Sequence, residues 1–231
     1  YTAIQLGVAS AVAGVRPPLS NESLNRWSLW QPDGKTYEAP LGSARVRVEL
    51  EDVSGLPDAN MLSSQEWERL FLLVGSPTPQ TAKVLAAKVI ELREQLICTR
   101  STAGFTSLEE LLEWKEISSA LAHGDAEKNT PGLRHYVVVG TRNKEVDLNT
   151  TPLPLLQVLG NVSGEHLQRL AKLRQLGPVS PELARQWLLG TGLTAIAPDA
   201  SPAAVRARLR IASSPAQGLT LIALLANDNG N

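Results

Sequence analysis

Two runs of strict alternation stand near opposite ends of this chain, with a long helical stretch between them. Val46, Val48 and Leu50 alternate with Arg45, Arg47, Glu49 and Glu51, and Val205, Ala207, Leu209 and Ile211 alternate with Arg206, Arg208 and Arg210. Successive residues of a strand point to opposite faces, so a period of two marks a strand buried on one side. Ser213 to Gly218 reads as a turn, and the apolar run Leu219 to Ala226 as a partner strand. A helical domain inserted in a small α+β domain explains this order economically. The predicted boundaries are 1–53 plus 194–231 for the α/β part and 54–193 for the helical part. Strands so placed give no support to a doubly wound sheet.

The middle of the chain carries helix start signals. Ser63-Ser64-Gln65-Glu66 is a capping box for a helix through Trp67, Leu70 and Phe71. Thr78-Pro79 opens a second helix to about Leu96, predicted to bury Val84, Leu85, Val89, Leu92 and Leu96. Ser107 to Glu110 forms another capping box, for a helix through Leu111, Leu112 and Trp114. Ala122 to Gly132 is polar and breaks the pattern. Tyr136 to Val139 is β-branched and predicts a strand. Helices follow over Pro152–Leu159, Ser163–Arg174 and Ser180–Leu189. At the front, Tyr1 to Val15 predicts a helix stopped by Pro17-Pro18, with Ile4, Val8 and Val12 on one face. Residues 20–42 are poorly periodic, with turn chemistry at Gln31-Pro32-Asp33-Gly34.

Composition removes several function classes. The chain of 231 residues is 43% hydrophobic and 19% charged, which allows a sizeable core. A formal net charge of -1 gives no bulk attraction for nucleic acid or an anionic membrane. One cysteine, Cys98, excludes an intramolecular disulfide, and its apolar neighbours predict a buried, inert thiol.

Two turns of similar chemistry lead from extended chain into helix. The first is Asp52-Val53-Ser54-Gly55-Leu56-Pro57-Asp58-Ala59-Asn60, and the second is Val146-Asp147-Leu148-Asn149-Thr150-Thr151-Pro152. Asp52 and Asp58 are hard oxygen ligands, but two carboxylates are few for a calcium loop and Pro57 stiffens its middle. The structural reading makes Ser54-Gly55 the turn and has Asn60 bond local backbone amides. In the second turn Asn149 or a threonine is expected to cap the helix entering at Pro152. Asn149-Thr-Thr also matches the short glycosylation pattern.

Other groups read as structural. His123, His135 and His166 lack zinc-ligand spacing. Glu109, Glu110, Glu113 and Glu116 form an acidic helix face, read as solvated, with a hydrolase using Glu109 or Glu113 as the enzymatic alternative. Arg206, Arg208 and Arg210 face solvent, pair with Glu49 and Glu51 across the sheet, or meet an acidic partner. Pro152 to Arg174 resembles a helix-hairpin-helix unit, which makes a nucleic-acid-binding module the alternative function. The hairpin holds Asn161 and Ser163 where DNA-binding versions have glycines, and Arg169, Lys172 and Arg174 supply few phosphate contacts.

The motifs, taken in order, resemble the minor pseudopilin GspK family (general secretion pathway protein K) of type II secretion systems. The resemblance rests on the strand followed by Asp52-x-Ser54-Gly55-x-x-Asp58-x-Asn60-x-Leu62, then Phe105-Thr106-Ser107-Leu108-Glu109-Glu110-Leu111, then Asp147-Leu148-Asn149-Thr150-Thr151 with Leu155-Leu156 and the hairpin. It spans roughly Ala44 to Leu189. It implies an α+β fold in which a pilin-like N-terminal helix packs on a small antiparallel sheet, with a large, mostly helical domain inserted between strands. It further implies a non-catalytic subunit at the pseudopilus tip, bound to the minor pseudopilins I and J and in contact with secreted substrates. The compartment implied is the Gram-negative periplasm, with an inner-membrane anchor preceding Tyr1; Ile4, Val8 and Val12 would belong to the partner-binding helix. No cofactor is expected. Calcium is left open, because Glu91 to Gly104 stands where some family members carry a calcium loop but shows little carboxylate clustering. Asp58 and Asp147 stand where the family has asparagine, which raises the question whether they keep the asparagine-type bonds or recruit a cation.

Overall fold

The structure is a computed structural model and describes residues 33–41, 44–100, 104–125, 127, 129–160, 162–196, 204–211 and 221–226. The predicted N-terminal helix, with Ile4, Val8 and Val12, lies outside the described residues. The chain divides into two compact units, one of Tyr1–Val53 with Ser201–Asn231 and the other of Ser54–Ala200.

The first unit holds an antiparallel sheet of order β1-β2-β5-β6. Its strands are β1 (Asp33–Leu41), β2 (Ala44–Asp52), β5 (Ala204–Ile211) and β6 (Leu221–Ala226). The register between β2 and β5 sorts the alternation. Val46 lies opposite Ile211, Val48 opposite Leu209 and Leu50 opposite Ala207, while Glu49 lies opposite Arg208 and Glu51 opposite Arg206. Opposite charges at paired positions favour this register by about 0.2–1 kcal/mol each. A slip of one residue would put charge against the apolar parity, so the pattern fixes the register strongly.

Strand β1 corrects the sequence reading, which had residues 20–42 without a regular element. Asp33 and Gly34 begin the strand rather than a turn, and the register with β2 shifts between Asp33 and Thr36. Glycine tolerates such an irregularity in pairing.

The second unit is mostly helical: α1 (Ser64–Leu73), α2 (Pro79–Arg100), α3 (Leu108–Leu112), α4 (Ser119–His123), α5 (Leu153–Leu159), α6 (Gly164–Leu176) and α7 (Pro181–Leu188). Its α1 begins with a full capping box, the Ser63 hydroxyl accepting from the Glu66 amide and the Glu66 carboxylate accepting from the Ser63 amide. Trp67, Leu70 and Phe71 of α1 are fully buried, the two rings 5.6 Å apart. Each such side chain contributes roughly 1.5–3 kcal/mol on burial.

The helix α2 is longer than predicted, and its buried stripe is Ala82, Leu85, Ala86 and Val89. Val84 is exposed, and Leu92 and Leu96 are only half-buried. The period is helical as expected, but small alanines carry the inward phase and let α2 lie close along α1. Cys98, near the end of α2, is exposed, contrary to the buried thiol predicted.

Two further corrections concern short β structure. A two-stranded pair, β3 (Gly124–Asp125) with β4 (Thr130–Pro131), occupies the polar stretch. Tyr136 to Val139 is not a strand: it follows a 3-10 turn at Leu133–His135 and makes one isolated parallel bridge, Val138 with Asp58. All four residues are buried. Their β-branched, apolar character serves a core plug, which periodicity over four residues cannot distinguish from a strand.

Candidate functional site

The two aspartate–asparagine turns come together. The Thr151 hydroxyl donates to the Gly55 carbonyl at 2.8 Å and accepts from the Asp147 amide at 3.0 Å. A Cβ on Gly55 would lie 2.4 Å from Thr151 Oγ1, so this approach needs glycine. Segments far apart in sequence are thereby locked together within the helical unit.

Asp58 is the most deeply held group of the first turn, with no solvent exposure. Its Oδ1 accepts from the Asn60 amide at 2.9 Å, and its Oδ2 accepts from the amides of Gly140 at 2.9 Å and Arg142 at 2.8 Å. The Asp58 amide donates to the Asn143 carbonyl at 2.7 Å. A carboxylate is the right group here because all three neighbours are donors. An asparagine would set its own NH2 against at least one of them.

Asn60 does not bond local amides as predicted. Its Oδ1 accepts from the Phe105 amide at 2.8 Å and its Nδ2 donates to the Phe105 carbonyl at 3.0 Å. The side chain thus mimics a strand partner for the start of the Phe105 segment. Gly104 makes room, since a Cβ there would sit 2.4 Å from Asn60 Oδ1. Arg93 of α2 closes the turn from the other side, donating to the carbonyls of Asn60 and Leu62 at 2.9 and 2.8 Å. Asp52 ends β2.

The second turn is arranged differently. Asp147 accepts from the Asn149 amide at 2.8 Å and from the Thr150 hydroxyl at 3.0 Å. Asn149 is exposed, and its Oδ1 accepts from the Val179 amide at 2.8 Å, which ties the turn to the approach to α7. Neither Asn149 nor a threonine caps α5; Pro152 holds the cap position without a side-chain bond. Pro154 in the first turn has no amide, and the Leu155 amide donates to the Pro152 carbonyl at 2.9 Å, so the polar side chains are free for tertiary bonds. Arg174 of α6 donates to the carbonyls of Leu148 and Thr151 at 2.6 and 2.7 Å. Burial lowers the Arg174 pKa, and the Asp147 charge opposes that shift.

A carboxylate beside the first turn completes the frame. Glu66 pairs with Lys144 at 2.6 Å, joining α1 to the loop that clasps Asp58. Burial pushes the Glu66 pKa up, but the bonds from Lys144 and from the Ser63 hydroxyl and amide outweigh it and hold it below the usual range.

The other candidates are engaged elsewhere. Glu110 accepts from Arg100, Glu109 lies 3.7 Å from Arg134, and Glu116 pairs with Lys88 at 2.9 Å. A shallow cleft of about 400 Å³ lies beside Glu116, between Val84 and Leu85 of α2 and Ser118 and Leu121. The hydrogen bond from Lys88 holds the Glu116 pKa below the usual range, which suits an ion pair and not a general acid. In the hairpin, Arg169 pairs with Glu165 and Arg174 is spent on the second turn, so two of the three cations are used within the chain. A Cβ on Gly160 would meet Leu193 at 2.6 Å, so the hairpin glycine serves packing. Among the described residues no three His, Cys, Asp or Glu gather as a metal site, and no helix is long and apolar enough to cross a membrane.

Sequence reasoning missed Arg93, Gly104 and Lys144, and read Arg174 as a hairpin cation where the structure ties it to the second turn. The glycine before Phe105 was the one visible signal. The cations act across long sequence separations that no local pattern reveals.

No family model and no curated protein matches this chain. Among solved structures, it is similar to a chain of the GspK-GspI-GspJ complex from the type 2 secretion system of enterotoxigenic Escherichia coli. The identity is 14%, with 97% of this chain and 90% of that chain covered and a TM-score of 0.55. The fold is GspK-like. It combines helices with a small antiparallel sheet, as the sequence motifs imply.

Proposed function

We propose that this chain is the K-type minor pseudopilin of a type II secretion system, acting without catalysis at the pseudopilus tip. The observation that carries the proposal is the fold likeness over nearly the whole chain to a chain of a GspK-GspI-GspJ complex. The ordered motifs support it independently, because they enter that fold as a bonded frame within the helical unit. In this reading the helical unit is a domain inserted between β2 and β5, and an N-terminal helix carrying Ile4, Val8 and Val12 packs on the sheet and meets the neighbouring subunits. The partners are minor pseudopilins of the I and J types, and the compartment is the periplasm. The tip position would start assembly and meet secreted substrates. No cation is part of the proposal at Asp58, whose two oxygens already accept three amide bonds.

Co-expression with I- and J-type minor pseudopilins tests this. A stable ternary complex on size exclusion is expected. Recovery of an I–J complex that leaves this chain wholly in the free fraction would refute the assignment.

A further inference from the structure

The two edges of the sheet are built differently. The β1 edge carries Lys35, Glu38 and Pro40, and its register is irregular between Asp33 and Thr36. Charge, proline and irregular register are the devices by which edge strands avoid pairing with other chains. Strand β6, Leu-Ile-Ala-Leu-Leu-Ala, has none of them and pairs with β5 alone among the described residues. It is apolar at both parities. Ile222 and Leu224 take the register positions opposite Arg208 and Arg206, on the charged parity of β5, where an exposed strand would carry polar residues.

Charge indicates the occupant. Strands β5 and β6 together carry three arginines and no carboxylate. Arg206 and Arg208 stand opposite Glu51 and Glu49 of β2, but Arg210 stands opposite Arg47. A strand added outside β6 would lie two strand spacings from β5, roughly 9.6 Å. That is about one Debye length at moderate salt, close enough for carboxylates to feel the excess of positive charge at the Arg210 end of β5.

We infer that the outer edge of β6 is a strand-addition surface for an acidic partner. The partner's extended segment, apolar at one parity and carrying carboxylates at the other, continues the sheet beyond Leu221–Ala226. Main-chain bonds supply the affinity and the charged parity supplies the choice of partner. The inference rests on the sheet alone and holds whether or not the tip assignment does.

The test uses the full chain and two capped heptapeptides, one alternating valine with glutamate and one alternating valine with lysine. Binding is read by fluorescence anisotropy, and amide exchange along β6 by NMR. In the free chain, alternate amides of Leu221–Ala226 are expected to exchange fast. The glutamate peptide is expected to bind saturably, slow those amides, and bind about tenfold more tightly than the lysine peptide, because the field of the β5 arginines attracts one and repels the other across β6. The double variant Ile222→Glu with Leu224→Glu should erase that ratio, with slow exchange in β2 and β5 showing that the sheet persists. The inference is overturned by absence of saturable binding, by equal binding of the two peptides, or by binding that leaves β6 unprotected. It is equally overturned if the free chain already protects those amides or self-associates through β6.

Discussion

The two aspartate–asparagine turns use the same residue types and bind them to different ends. In the first, Asp58 is sealed from solvent and satisfies three amides, and Asn60 uses both ends of its amide on Phe105. In the second, Asp147 bonds its own turn and Asn149 stays exposed while accepting a single bond from Val179. A motif's letters therefore specify a corner, but burial decides how much stability rests on it. A hydrogen bond lost in the buried turn strands its partner without water, whereas one lost at the exposed turn is replaced by solvent.

The sharpest way to break this contrast is to remove Asp58. Asp58→Ala leaves three amides unpaired and is expected to cost about 4 kcal/mol or more. Asp58→Asn keeps one acceptor and should cost roughly half as much. Urea unfolding of both variants would measure this, and a cost for Asp58→Ala below that of Asp147→Ala would invert the comparison. The asparagines come next. Asn60→Ala should cost about 2–3 kcal/mol, because it orphans both Phe105 backbone groups, and Asn149→Ala under about 1 kcal/mol. Equal effects of the two would show that burial is not what separates the turns.

Much of the frame was readable before any coordinates. Strands β2 and β5 follow from their alternation, and the starts of α1 and α3 from the serine caps at Ser63 and Ser107. What escaped is physical rather than random. The stripe of α2 runs through Ala82 and Ala86, residues too weakly apolar to announce a face. Strand β1 mixes charge, glycine and proline, so its pairing depends on β2 rather than on its own pattern. In the candidate site, Asp58 and Asn60 could be singled out, but not their partners. Phe105 stands 45 residues from Asn60, and Gly140 stands 82 from Asp58. Local propensity carries no information over that span, where only the folded chain brings donor to acceptor.

Arg174 offers a smaller effect at the second turn. Its guanidinium holds the Leu148 and Thr151 carbonyls, so Arg174→Met should cost about 1–2 kcal/mol. Arg174→Lys should recover only part of this, because one ammonium cannot span both carbonyls in the fork geometry. Thermal unfolding of the two variants decides it, and full rescue by lysine would show that charge near Asp147 matters more than shape.

The last contrast is in pH. Glu66 joins α1 to Lys144, in the loop that clasps Asp58, and its carboxyl is held below the usual glutamate range in the folded chain. Folding therefore favours the ionised form. The resulting stability is fully present above the unfolded value, about 4.3, and is lost as pH falls below it through the lower folded value. Lys144 is partly exposed, so solvent screens the pair and the contribution is expected to be about 1 kcal/mol or less. Urea midpoints between pH 7 and pH 3 should fall less steeply for Glu66→Gln than for the unmodified chain. Above pH 5 the variant should be less stable, and the two curves should converge in acid. If the curves stay parallel, Glu66 does not carry the acid sensitivity of the first turn, and the loop is held by the Asp58 amide bonds alone.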